Sequence, residues 1–273
     1  MNKENKYLFF SDLDDTLLTS EKTISEATYK ALTAFVEHGN RFVIATGRSL
    51  FSAFVVQKKL KLKFPGSYIV SFNGCQIYDC EAEKTLFKAS LPLLVVRDIF
   101  DIAKRHGVFA QTYHDENIIA PRECEELKRY RLVAGMSFVL NEDPVSVLPE
   151  PPCKMLCIEF NDHEKQEGFR AEIMAKYKDV IETFYSTPYY LEIVPKGCHK
   201  GMAVRKLAEI LGVPIECTIA AGDEENDITM IEAAGVGIAM INGNEKVKKV
   251  ADIITEKDND HDGLAEYFYR YGT

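Results

Sequence analysis

Four short stretches hold residue types that do chemistry. They are Asp12, Asp14 and Thr16 in SDLDDTLL (residues 11–18), Thr46-Gly47-Arg48, Lys200-Gly201, and Gly222-Asp223-Glu224-Glu225-Asn226-Asp227. The first is the most demanding. Asp12 and Asp14 stand two apart directly after the apolar run of residues 7–10, and in an extended chain residues i and i+2 face the same side. Two carboxylates aimed into one small volume are costly unless a cation or a shared proton compensates. Asp223 and Asp227 are four apart at an expected helix start, so their side chains can share one face, with Asn226 adjacent.

The elements around these stretches alternate. Residues 25–38 have helical spacing (Ala27, Ala31, Leu32, Phe35) and end at Gly39, a good C-terminal cap. Residues 41–45 read as a buried strand running into Thr46, followed by a helix over 49–60 and a third strand over 68–71 that ends at Asn73-Gly74 and opens a hairpin reaching residue 87. Strand, helix, strand, helix is the rhythm of a parallel sheet with crossover helices. From residue 91 the pattern changes to hairpin-paired strands (108–114, 117–121, 154–160, 180–185, 190–194) with helices around 95–106, 123–134 and 164–178. The first rhythm then resumes with a helix over 199–211, strands at 217–221 and 236–240, and two closing helices. The expected fold is α/β, a Rossmann-like parallel-sheet core with an inserted α+β domain. The insertion is placed at residues 84–188 and the discontinuous core at 1–83 and 189–273. In such open sheets ligands bind beyond the carboxyl ends of the strands, where the four stretches fall.

Composition narrows the function classes. With 273 residues, 46% hydrophobic and 27% charged, the chain has ample material for a buried core. A net charge of -9 argues against a nucleic-acid surface, which relies on clustered Lys and Arg. No run is long and apolar enough for a signal segment or a membrane span. The seven cysteines form no C-x-x-C pair and are odd in number, which points to reduced thiols in a cytoplasm; the six scattered histidines speak against a zinc site. A monomer or weak homo-oligomer is expected.

Taken in order, the four stretches resemble the signature of the haloacid dehalogenase-like superfamily. The insertion after the third strand, Asn73-Gly74, LEI-x-P-x-G-x-x-K at 191–200 and G-D-x-x-N-D at 222–227 are similar to its Cof-type members, and the resemblance covers essentially the whole chain. Asp15 stands where Gly is commonest in that superfamily, a departure that is tolerated because the chemistry uses its neighbours. A carboxylate is a weak nucleophile but is ionised at neutral pH, and its attack on phosphorus gives an acyl phosphate that water can open. Asp12, first at the strand end, is the expected nucleophile, with Asp14 as the acid that protonates the leaving oxygen and later the base that activates water. The resemblance implies Mg2+, held by Asp12, Asp223 and the backbone carbonyl of Asp14, with Asp227 and Asn226 in support; oxygen donors suit that ion. Thr46 and the Gly47 N–H suit a phosphate oxygen, with Arg48 and Asn226 as further substrate or phosphate contacts. Lys200 is the expected point charge on the phosphoryl group, placed at a helix start where a cation opposes the dipole.

The implied activity is Mg2+-dependent hydrolysis of a small phosphorylated metabolite, a sugar phosphate first among candidates, through a phosphoaspartate on Asp12. The inserted domain is the expected cap that excludes water and reads the leaving group. Phosphate-monoester hydrolysis calls for accelerations up to ~10²¹, whereas one oriented donor supplies about 3–4 kcal/mol, so nucleophile, acid, metal and cation must act together. A phosphomutase on the same core is the first alternative. A non-catalytic ligand sensor is the second, and the intact Asp12, Asp14, Lys200 and Asp223 speak against it.

Overall fold

The computed structural model describes residues 6–272. It divides into two compact units, one formed by the chain up to Gly47, Ala53–Phe87 and the chain from His199 on, the other by Arg48–Ser52 and Lys88–Cys198. The first unit is built on eight strands in the order Ile253–Ile254, Val236–Ala239, Thr218–Gly222, Leu8–Ser11, Arg41–Ala45, Tyr68–Ser71, Gln76–Asp79, Lys84–Lys88. The first six run parallel, and Gln76–Asp79 joins antiparallel to Tyr68–Ser71.

The central strands LFFS, RFVIA and TIAAG are near-continuous apolar runs, as befits a parallel sheet covered on both faces. On one face Leu8, Phe10, Val43 and Ala45 pack against Ala203, Val204 and Leu207 of helix Lys200–Leu211. Strand alternation sends Phe9 to the other face. There its ring meets Phe35 of helix Glu26–Glu37 at 5.8 Å and Phe268 of helix Ala265–Gly272 at 4.4 Å. Each helix is thus anchored by the residue periodicity legible in its sequence, and the sheet is wound on both sides.

The second unit has six strands in the order Ile181–Thr187, Tyr190–Pro195, Met155–Ile158, Phe109–His114, Asn117–Ala120, Ser137–Leu140. All pairs are antiparallel except the last, which is parallel. Helices Leu93–His106 and His163–Tyr177 bury Val96, Ile99, Phe169 and Ile173 with Met155, Leu191 and Ile193 of the sheet.

Two features differ from the sequence expectation. The units exchange after Phe87 and Cys198, later than residues 83 and 188, because Lys84–Lys88 extends the first sheet while Tyr190–Pro195 pairs with both Ile181–Thr187 and Met155–Ile158 of the second. Ser137–Leu140 is a strand that the pattern did not announce; as an edge strand it keeps Val139 and Leu140 exposed and so lacks alternating burial. Among the described residues no helix is long and apolar enough to cross a membrane.

Candidate active site

Three parallel neighbours set the geometry. Ser11 is in register with Ala221 on one side and Ile44 on the other. Asp12, Asp223 and Thr46 therefore leave the sheet side by side at its carboxyl end. The Asp12 N–H donates to Ala221 O at 3.0 Å and the Thr46 N–H to Val70 O at 2.8 Å. Beyond Asp12 the chain makes one wide turn, closed by the Leu18 N–H donating to Leu13 O at 2.8 Å. Inside it Asp15 has φ 59°, a left-handed conformation that Gly takes freely and a short polar residue tolerates. Asn242 Nδ2 donates to Asp15 O and Asn259 Nδ2 to Leu18 O, so two C-terminal side chains pin the turn.

Lys200 is the hub. Its Nζ donates to Asp12 Oδ1 and to Asp227 Oδ1, both at 2.6 Å, and the whole residue is 1% exposed. Asp227 Oδ2 accepts the N–H groups of Asp223 (3.1 Å) and Glu224 (3.2 Å), which folds the Asp223–Asp227 segment back on itself. Only Gly fits at 222, since a Cβ there would lie 2.4 Å from the Asp227 Cβ. Thr16 Oγ1 donates to Asp223 Oδ1 across 207 residues of sequence. Oxygens of Asp12, Asp223 and Asp227 all lie within 4.8 Å of one another.

Two buried carboxylates thus share one ammonium, with a third beside them. Burial pushes the Asp12 carboxyl up to about 7; Lys200 pulls it back, and Asp227 and then Asp14 add to the rise. Asp223 goes up to about 8, from burial first and the Asp12 charge second. Burial alone would lower Lys200, but Asp12 and Asp227 outweigh it and hold the ammonium above its ordinary value. These directions are consistent: the cation is fully compensated, whereas the acids are not. An oxygen-only donor set with uncompensated negative charge fits a hard divalent cation.

The structure gathers most of the residues expected from the sequence. Asp12, Asp223, Asp227 and Lys200 form the cluster above. Thr46 and Gly47 follow the neighbouring strand, and Gly47 sits against the Asn73 side chain. Asn226 Nδ2 donates to Asn73 Oδ1 at 3.0 Å. The expected crowding of Asp12 by Asp14 is corrected. The Asp14 carboxyl is part-exposed and paired with Lys22 at 3.2 Å, and it weighs less on Asp12 than Asp227 does. The strand ends at Ser11, so the i, i+2 rule no longer governs the turn that follows. Arg48, although next to Gly47 in the chain, groups with the second unit, and its charge bears on Tyr130. Sequence reasoning missed Lys22, which also reaches Asp15 at 3.1 Å, and missed Asn73 except as a turn residue.

The profile of the haloacid dehalogenase-like hydrolase family matches residues 9–268. The chain belongs to that family. It is 32% identical, over 97% of both chains, to the 5-amino-6-(5-phospho-D-ribitylamino)uracil phosphatase YitU of Bacillus subtilis. It is 27% identical to the pyridoxal phosphate phosphatase YbhA of Escherichia coli, over 95% of this chain and 96% of that one. A haloacid dehalogenase-like hydrolase from Bacteroides thetaiotaomicron superposes with a TM-score of 0.89 at 32% identity, covering 97% of this chain and 99% of that one. With such relatives along its whole length, this member of the family is an enzyme, a phosphatase.

Proposed function

We propose that this hydrolase is a Mg2+-dependent phosphatase that cleaves a small phosphorylated metabolite through a phosphoaspartate on Asp12. The observation that carries it is Lys200 held at 2.6 Å between Asp12 and Asp227, in a buried acidic cluster at the carboxyl edge of the sheet. Asp12 attacks phosphorus and the bond to the leaving oxygen breaks, with Asp14 giving that oxygen its proton. Water then attacks the acyl phosphate as Asp14 takes its proton, which frees inorganic phosphate and restores the Asp12 carboxylate. Lys200 holds Asp12 in place and offsets the phosphoryl oxygens; Thr46, the Gly47 N–H and Asn226 hold them, and Arg48 is assigned to the substrate.

Asp12, Asp223 and the Asp14 carbonyl would hold the cation, and Asp227 would support them through its bonds to Lys200 and to the Asp223 N–H. When bound, a divalent cation offsets negative charge on the carboxylates and on the phosphoryl group. A sugar or polyol phosphate is the favoured substrate, because the Bacillus subtilis relative is named for a phosphate carried on a ribityl chain. The second unit is assigned as the cap, and the cytoplasm as the place of action.

The decisive experiment is a phosphate-release screen over sugar phosphates, flavin mononucleotide, pyridoxal phosphate and nucleotides, with and without chelator. Turnover is expected on the sugar phosphates and is expected to vanish with chelator. Isomerised product without free phosphate would establish the mutase instead.

Stability supplies a second check. Asp12 and Asp223 bind protons more tightly folded than unfolded, with values of about 7 and about 8 against an ordinary aspartate's 3.8. The folded state therefore holds more protons between pH 4 and 8, and the metal-free protein loses stability as pH rises through that window. A tenfold displacement of one such proton equilibrium is worth about 1.4 kcal/mol, which moves Tm by about 2–4 °C per kcal/mol in a chain of this size. Thermal melts in chelator should fall by several degrees from pH 5 to pH 8, and Mg2+ should raise Tm more at pH 8. A flat metal-free profile would contradict the electrostatic account of the cluster.

A further inference from the structure

The segment that closes strand Tyr68–Ser71 is unusual. Phe72, Asn73 and Gly74 have φ of 50°, 55° and 103° in succession. Asn visits this region with several-fold preference, but a bulky residue there is an outlier that persists only when its surroundings dictate it. The surroundings here are three parts of the site. The Asn73 N–H donates to Thr46 O at 3.1 Å. The Asn73 Oδ1 accepts from Asn226 Nδ2 at 3.0 Å. Gly74 abuts the residue before Lys200, so closely that a Cβ would lie 2.4 Å from His199 O. Asn73 is 3% exposed, and its side chain spans from Gly47 to Asn226.

We propose that Asn73 is a positioning residue for the phosphate site. Its backbone fixes the Thr46-Gly47 turn, and its side-chain oxygen fixes the rotation of the Asn226 amide, so that Asn226 meets the phosphoryl group in one orientation. This rests on the assignment of Asn226 to phosphate binding.

The test separates side chain from backbone. Asn73→Gly keeps the left-handed conformation, which Gly adopts without strain, and keeps the N–H bond to Thr46 O, but deletes the amide. The readouts are the Kd of inorganic phosphate by calorimetry in Mg2+, and KM and kcat on 4-nitrophenyl phosphate. Asn73→Gly should weaken phosphate and raise KM by about tenfold, the worth of a buried hydrogen bond whose partner is left unsatisfied, with kcat changed much less. In a double-mutant cycle, adding Asn73→Gly to Asn226→Ala should cost less than about twofold more, because the first residue acts through the second. If Asn73→Gly binds phosphate like the parent while Asn226→Ala does not, Asn73 serves only the backbone and the proposal falls. If Asn226→Ala itself binds phosphate like the parent, the assignment of Asn226 fails and takes the proposal with it. Full additivity of the two changes would also overturn it.

Discussion

Asp12→Asn should leave a folded protein with at least about 10⁴-fold less phosphate release, the scale on which removal of a covalent nucleophile is felt. Asn has the shape of Asp but no nucleophilic oxygen at neutral pH, so no acyl phosphate forms. The same change should not harm the fold. It removes one of the two carboxylates that share the Lys200 ammonium, and Lys200 keeps its 2.6 Å bond to Asp227. Because burial had pushed Asp12 up to about 7, its charged form is a burden on the metal-free protein above that pH. Asp12→Asn should therefore melt higher than the parent at pH 8 in chelator, and by less at pH 5. The two halves are measured independently, by phosphate release on the best substrate of the screen and by thermal melts. Activity within about tenfold of the parent would remove Asp12 from the role of nucleophile, whatever the melts show.

The parts of the site legible in the sequence are those that follow an apolar run. Asp12, Thr46 and Asp223 each come straight after a buried strand, and parallel register brings neighbouring strand ends together. Lys200 was legible as a cation at a helix start, where the dipole gives it no reason to be. What escaped depends on the chain turning back on itself. Nothing in the spacing of Asp227 says that one of its oxygens accepts two backbone N–H groups while the other holds Lys200. Asn73 looked like an ordinary hairpin residue because its contacts come from residues 46 and 226. Asp14 was expected beside Asp12 on a rule for extended chains that stops applying one residue after the strand. The fold shows the same division. The parallel core with its crossover helices was readable from alternating periodicities, and 190–194 read as a hairpin-paired strand, but the end of the insertion was not: the pairing of Tyr190–Pro195 with Ile181–Thr187 and Met155–Ile158 carries the second unit past residue 188.

Lys200→Met tests the hub itself. Met fills a similar volume without charge, so packing against the sheet is nearly kept while Asp12 and Asp227 lose the ammonium bonded to both, beside Asp223. Breaking a buried ion pair by deleting one partner costs about 3–5 kcal/mol, since the charges left behind have no compensation. In a chain of this length that is a fall in Tm on the order of 10 °C. The loss should be largest in chelator at pH 8, and Mg2+ should recover part of it by supplying positive charge to the same carboxylates. Turnover should not recover with the fold. Without Lys200 the Asp12 Oδ1 loses its 2.6 Å bond, and the phosphoryl group loses its point charge, a loss of at least about 10²–10³-fold. Lys200→Arg separates charge from shape: it restores the cation but must fit a planar guanidinium into a slot that is 1% exposed. It should regain some stability and little activity. A Lys200→Met protein that melts and turns over like the parent would show that the acids compensate one another, by sharing protons, and that the ammonium is dispensable.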